Sequence, residues 1–317
     1  MNRIDNTKRK KRYIRVILIS FLIVLAIVVY IGFDVFLRTR SLLVRINQEV
    51  DTVDLRREQD LPELELGETP FSVLILGIDS DWEGDPGRAD TIMVATVNPN
   101  LGTTYLLSIA RDTMVDISGW GTTRINHAHA YGGGGHGGVE LTINTIQNFL
   151  NIPIDYYATL QMHGLADLID AFGGVTVYND TVDFSLGGHQ FPLGYNYLTG
   201  DAASYYTRMR LQDPRGDFGR QERQRDVIAA MADDLVGVAT VTKYQRIIDA
   251  VGNHMITDVS LAEMVQISTG YARALRNITN LQLNYSGQII SGMYLIPIPE
   301  HSRIEMSNRL RDHLELD

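Results

Sequence analysis

Between Arg208 and Arg225 the chain reads RMRLQDPRGDFGRQERQR, six arginines and no lysine in eighteen residues. Residues 16–317 hold twenty arginines, so a stretch this long should carry about one. Guanidinium forks grip phosphate oxygens two at a time. Arg208 and Arg210 close one helical pattern, while Arg220, Arg223 and Gln224 open the next, where a helix N-terminus adds its own N–H donors. A solvated helix face would mix arginine with lysine and with acids four residues away. The pattern fits a focused anion site better. Arg88 in LGIDSDWEGDPGRADT and Arg111 in SIARDT converge from strand ends, and together these groups suit a pyrophosphate.

Asp79 follows an apolar run that ends at Gly77, and Asp90 precedes the next run. Both carboxylates can therefore meet at one sheet edge, where an Mg²⁺ site (or Mn²⁺ in its place) shared with substrate phosphates fits better than a solvated acidic turn. The same loop imitates a calcium-binding hand at Asp79, Asp81, Glu83, Gly84 and Asp90. Its last position is Asp rather than Glu, and strands rather than helices flank it. His127, His129 and His136 in RINHAHAYGGGGHGG invite a metal reading, but intervening glycines hold no ligand geometry. A mobile loop over a pocket is the better expectation there.

The elements that position these groups follow from periodicity. FSVLILG, TIMVATV and TTYLLSIA read as three strands of a sheet buried on both faces. YYATLQM, GVTVY, LQLNY and MYLIPI read as further strands. GVELTINTIQNFL, LADLIDAF, DAASYYTRMR, GRQERQRDVIAAMADDLV and SLAEMVQISTGYARAL have helical spacing. Such alternation predicts an α/β fold, a central buried sheet with helices on both sides.

Bulk composition narrows the functions further. The first fifteen residues carry seven basic groups and one acid, a net of +6, while the whole chain is −10. The remainder is therefore near −16, and nucleic-acid binding is not expected. Of four lysines only Lys243 lies beyond the basic head, so there is no Walker-type phosphate loop. Cysteine is absent, which excludes disulfides and thiolate chemistry. VILISFLIVLAIVVYIGF, residues 16–33, is long enough to span a bilayer. No small-residue cleavage site follows it, and the basic residues before it favour a cytoplasmic N-terminus. The expected layout is a basic head (1–15), a transmembrane helix (16–33), a juxtamembrane helix and linker (34–70), an extracytoplasmic domain (71–300) and a C-terminal tail (301–317). That is a single-pass type II protein of the cell membrane.

LGIDS…GRADTIMVATV, LLSIARDT, RINHAHAYGG, AFGGVTVYN and YTRMR…GDFGRQERQ come in the order and spacing of the LytR-CpsA-Psr family, which the chain resembles over about residues 70–235. The resemblance implies an α–β–α sandwich with a central mixed sheet and an apolar tunnel for a prenyl chain. It implies an envelope phosphotransferase that moves a glycopolymer from a polyprenyl-pyrophosphate carrier to a peptidoglycan hydroxyl. By motif, Asp79 and Asp90 would hold the metal, while Arg88, Arg111, Arg208, Arg210, Arg220 and Gln224 would grip the pyrophosphate. Arg111, Asp90 and Arg220 would carry catalysis, and Asp90 and Asp112 are both candidates for the base. The helix GVELTINTIQNFL and the strand YYATLQM are expected along the tunnel, where ordinary core packing would produce the same residues. Ala110 replaces the usual proline of SIPRDT, a change that would loosen the turn holding Arg111, and His129 stands where an aromatic is common. Two rivals remain: a hydrolase using water as acceptor, and a non-catalytic lipid-carrier-binding scaffold.

Overall fold

The computed structural model describes residues 61, 63–80, 84–236, 254–283 and 285–316. The 16–33 span lies outside them, and no helix among the described residues is long and apolar enough to cross a membrane. Strand β1 (Phe71–Asp79) leads into β2 (Arg88–Asn98), β3 (Thr103–Ile109) and a small hairpin of β4 (Met114–Ile117) and β5 (Gly121–Arg124). Helices α1 (His127–Tyr131) and α2 (Gly135–Leu150) precede β6 (Tyr156–Gln161) and α3 (Leu165–Phe172). Then come β7 (Val175–Asn179), β8 (Phe184–Leu186), β9 (His189–Phe191), β10 (Gly194–Leu198), α4 (Gly200–Arg208) and α5 (Asp217–Val236). The chain closes with β11 (Met255–Thr257), α6 (Leu261–Gly270), α7 (Ala272–Leu275), β12 (Ile278–Gln282), β13 (Gln288–Ile290), β14 (Met293–Leu295) and α8 (Glu300–His313).

Six strands form one mixed sheet in the order β11-β6-β1-β2-β3-β12. β1 runs antiparallel to β2 and parallel to β6, and β12 runs parallel to β3. Side chains alternate between its faces, as the pleat requires. Leu74, Leu76, Ile92, Val94 and Leu107 face a core completed by Val139, Ile143, Ile146 and Leu150 of α2 and by Leu310, Leu314 and Leu316 at the C-terminus. Met93, Ala95 and Leu106 face the other way, towards Ile228 of α5. The expected three-layer α–β–α arrangement is therefore present.

Three expectations change. GVTVY pairs only with β10, and MYLIPI contributes a hairpin with β13, so neither joins the central sheet. SLAEMVQISTGYARAL breaks at Tyr271, whose ring is buried against Phe71 while its hydroxyl donates to the Thr69 carbonyl. The 301–317 segment is no loose tail, because it supplies most of α8. His313 on that helix is buried, with its ring nitrogens 2.8 and 2.9 Å from the hydroxyls of Thr96 and Thr103 on neighbouring strands. Leu310, one turn earlier, packs into the core beside it.

Candidate active site

Antiparallel β1–β2 and β2–β3 pairing brings the end of β1, the start of β2 and the end of β3 to one edge of the sheet. Asp79 and Arg88 stand opposite each other as the last β1–β2 pair. One step inward the register shifts: Gly77 faces Thr91 and Ile78 faces Ala89, which leaves Asp90 as the extra residue of a bulge. A bulge re-aims the side chain it carries. Here the Asp90 carboxylate accepts from the Arg111 guanidinium and, at 3.1 Å, from Asn126 Nδ2.

Arg111 follows β3 on a turn closed by Thr113 N–H donating to the Ala110 carbonyl at 2.9 Å, so the turn forms with alanine in place of proline. Asn126 N–H donates to the Arg111 carbonyl at 3.2 Å. Arg111, Asp90 and Asn126 therefore close a ring of hydrogen bonds. Burial would lower the Arg111 pKa, but Asp90, Asp112 and Asp217 outweigh it and raise the value. Asp112 lies 3.8 Å from Arg111 Nε and 3.3 Å from Arg124 Nε.

Arg208, Arg210 and Arg220 line one cavity of about 270 Å³. Arg220 sits in the first turns of α5, 2.8 Å from Asp217, with its side chain 13% exposed. Burial lowers its pKa, and the charges of Arg111 and Arg210 act in the same direction, while Asp217 and Asp90 oppose them. The site thus concentrates positive charge that an anion would relieve.

Gln224, one turn beyond Arg220, lines a second, apolar cavity of about 150 Å³ with Gly77, Thr91, Leu160, Leu168, Val227 and Met231 among its walls. Strand β6 contributes Ala158, Thr159 and Leu160 to its walls. Helix α2 does not: its apolar residues belong to the core on the opposite face of the sheet.

The other arginines of the run are used differently. Arg223 Nη1 donates to Asp213 at 2.6 Å and Arg223 Nη2 to the Met209 carbonyl at 2.5 Å. Arg215 reaches the same Asp213 at 3.3 Å and also pairs with Glu222. Gly219 makes this possible, since a Cβ there would overlap the Asp213 carboxylate. Arg225 is buried, with Nη2 3.5 Å from Gln282 Oε1. Half of the arginine cluster is therefore scaffold.

The histidine segment folds instead of forming a mobile loop. His129 is buried in α1, 3.1 Å from the Gly87 carbonyl, and anchors the segment that leads to Arg88. His127 lies 3.1 Å from Thr123 Oγ1. Burial lowers the pKa of both histidines. Among the described residues no three His, Cys, Asp or Glu side chains gather as a metal cluster.

Asn126 escapes a reading of the sequence. Its only signal there is its place in RINHA, where the flanking histidines draw the attention instead. Its Nδ2 donates to Asp90, while its Oδ1 is buried and, among the described residues, has no hydrogen-bond partner. Asp79 and Asp90, at the same end of the sheet, offer carboxylate oxygens, the donor type a hard cation such as Mg²⁺ takes.

The LytR_cpsA_psr family profile matches residues 41–312. The polyisoprenyl-teichoic acid–peptidoglycan teichoic acid transferase TagU of Halalkalibacterium halodurans is 39% identical, over 97% of this chain and 99% of its own. The crystal structure of Bacillus subtilis TagU aligns with a TM-score of 0.63 at 35% identity, covering 79% of this chain and 99% of that one. A structure of TagT bound to LIIa-WTA aligns with a TM-score of 0.67 at 27% identity, covering 80% of this chain and 94% of that one.

Proposed function

The chain belongs to the LytR-CpsA-Psr family, and on that premise we propose that it transfers a teichoic-acid-type glycopolymer from a polyisoprenyl-pyrophosphate carrier to a peptidoglycan hydroxyl. The observation that carries this reading is that two cavities of different character lie against α5, one turn apart. Arg220 faces the arginine-lined one, and Gln224, one turn on, faces the apolar one. A pyrophosphate with a prenyl tail needs both, side by side.

Arg208, Arg210 and Arg220 would bind the pyrophosphate oxygens, with Arg88 and Gln224 at the margins. Arg111 is held by Asp90 until substrate arrives, and then shares its donors with phosphate. Asp79 and Asp90 would hold Mg²⁺, which when bound supplies charge neutralisation on the pyrophosphate. The arginines make the lipid phosphate a tolerable leaving group, and the acceptor hydroxyl attacks the sugar-linked phosphorus in line. Asp90 and Asp112 flank Arg111 and are the carboxylates available for the acceptor proton. Residues 16–33 would anchor the chain with this domain outside the cytoplasm.

Labelled polymer on its lipid carrier, incubated with and without peptidoglycan, tests the function. Peptidoglycan-dependent transfer is expected. Release without an acceptor would mean a hydrolase, and binding without turnover a scaffold. Asp79→Asn and Asp90→Asn should each abolish transfer, and metal affinity should rise when a prenyl pyrophosphate binds. Full activity in excess chelator, or in both variants, would sink the metal assignment.

A further inference from the structure

Trp120 sits at the tip of the β4–β5 hairpin, 57% exposed. Its indole stacks on Tyr131 with ring centroids 4.2 Å apart and planes 11° from parallel. Gly119 and Gly121 flank it with φ of 80° and 76°, values that favour glycine, and Trp120 N–H donates to the Ile117 carbonyl at 2.8 Å. A single exposed apolar residue needs no explanation. This one is held in place on both sides, with one ring face covered by Tyr131.

The aromatic ledge shares its hairpin with Arg124, a partner of Asp112. Tyr131 Oη lies 3.4 Å from His127 Nδ1, and Arg124, at the end of β5, pairs with Asp112. Arg111 contacts that Asp112 as well as Asp90. On the transferase reading the donor's pyrophosphate and lipid occupy the two cavities against α5, and the hairpin is left for the second substrate.

We propose that the Trp120–Tyr131 stack is a remote acceptor subsite that binds a sugar ring of the peptidoglycan glycan strand. The subsite rests on the transferase reading given above. An aromatic face is electron-rich and attracts the C–H groups of a pyranose ring. Because the stack is already ordered, little conformational freedom is lost on binding. The four residues of β5, roughly 13 Å at ~3.3 Å each, separate Trp120 from the level of Asp112. Only an acceptor several rings long spans that distance.

The experiment measures KM for short and long glycan acceptors, and donor affinity, in wild type, Trp120→Ala and Trp120→Phe. For Trp120→Ala we expect about a tenfold rise in KM for the long acceptor, with the short acceptor and donor within about twofold. Trp120→Phe should recover part of the loss. Trp82 is the only other tryptophan, so in a Trp82→Phe background the indole fluorescence should respond to long glycan alone, without donor. Unchanged KM for the long acceptor together with silent fluorescence would overturn the subsite. So would equal losses for donor and acceptor. If wild type transfers to no acceptor yet its Trp120 fluorescence responds to glycan, the subsite stands and the transferase reading falls.

Discussion

Arg220 and Arg223 lie one helical turn apart on α5 and have opposite surroundings. Arg223 is 3% exposed and donates to the fully buried Asp213 carboxylate and to a backbone carbonyl. Arg220 has Asp217 beside it, but Arg111 and Arg210 also act on it, and it lines an open cavity. One guanidinium is neutralised by the protein itself. The other, with Asp217 beside it, faces a cavity that two more arginines line. The difference lies in which of them reaches Asp213, through the gap that Gly219 leaves.

The largest effect should come from breaking the neutralised side. Arg223→Ala leaves Asp213 buried with a single, more exposed partner, Arg215. Removing one member of a buried pair costs about 3–5 kcal/mol, and urea denaturation should register a loss of that size. The double variant Asp213→Leu/Arg223→Met should be more stable than Arg223→Ala. If it is no better, the pair is not the origin of the loss.

On the ligand side the loss should appear in binding rather than stability. Arg220→Ala or Arg210→Ala removes charge-assisted hydrogen bonds of roughly 1.5–3 kcal/mol each, hence more than about tenfold in affinity for a prenyl pyrophosphate. Arg220→Met should lower the thermal midpoint of the free protein far less than Arg223→Ala does, because the Asp217 it leaves behind is 32% exposed while Asp213 is fully buried. A large fall in that midpoint would place Arg220 with Arg223, in the scaffold.

The composition of the site is easier to read from sequence than its division of labour. The strands that present Asp79, Asp90 and Arg111 are legible because their apolar runs are continuous and end in glycine or a charged turn. Arg208, Arg210 and Arg220 are legible by type. That Arg223 and Arg215 serve Asp213 is not, since the acid lies in the turn and the contact depends on a missing Cβ at Gly219. The bulge at Asp90 is likewise invisible, because a one-residue register shift leaves the hydrophobic alternation on either side intact. GVTVY and MYLIPI read as sheet strands for a related reason: strand propensity does not say which strand will be the partner.

Asp213 offers a smaller, pH-dependent test of the same contrast. Burial would raise its carboxyl pKa, but hydrogen bonds from Arg215 and Arg223 outweigh this and hold it below the ordinary value. A depressed folded-state pKa contributes stability that is present above the unfolded value, near ~3.9, and lost as pH falls through the folded one. The stability gap between wild type and Asp213→Asn should therefore be widest above about pH 4 and narrow in stronger acid, by at most ~1.4 kcal/mol per pH unit. A gap independent of pH would mean that Asp213 acts through packing alone.

The smallest effect should be that of Arg215→Ala. Arg215 belongs to the scaffold half by its partners, yet its side chain is 38% exposed, against 3% for Arg223. Solvent screens its pairs with Asp213 and Glu222, and exposed pairs of this kind contribute about 0.2–1 kcal/mol. Its Nη2 also donates to Thr181 Oγ1 at 2.6 Å, which ties the turn to the segment after β7 without touching either cavity. Asp213 keeps Arg223 when Arg215 is lost, so no buried charge is stranded. Stability should fall by no more than about 1 kcal/mol, and prenyl-pyrophosphate affinity should stay within about twofold of wild type by calorimetric titration. A roughly tenfold loss of affinity in this variant would show that the turn is part of the anion site, and the division between ligand-facing and self-neutralised arginines would not hold.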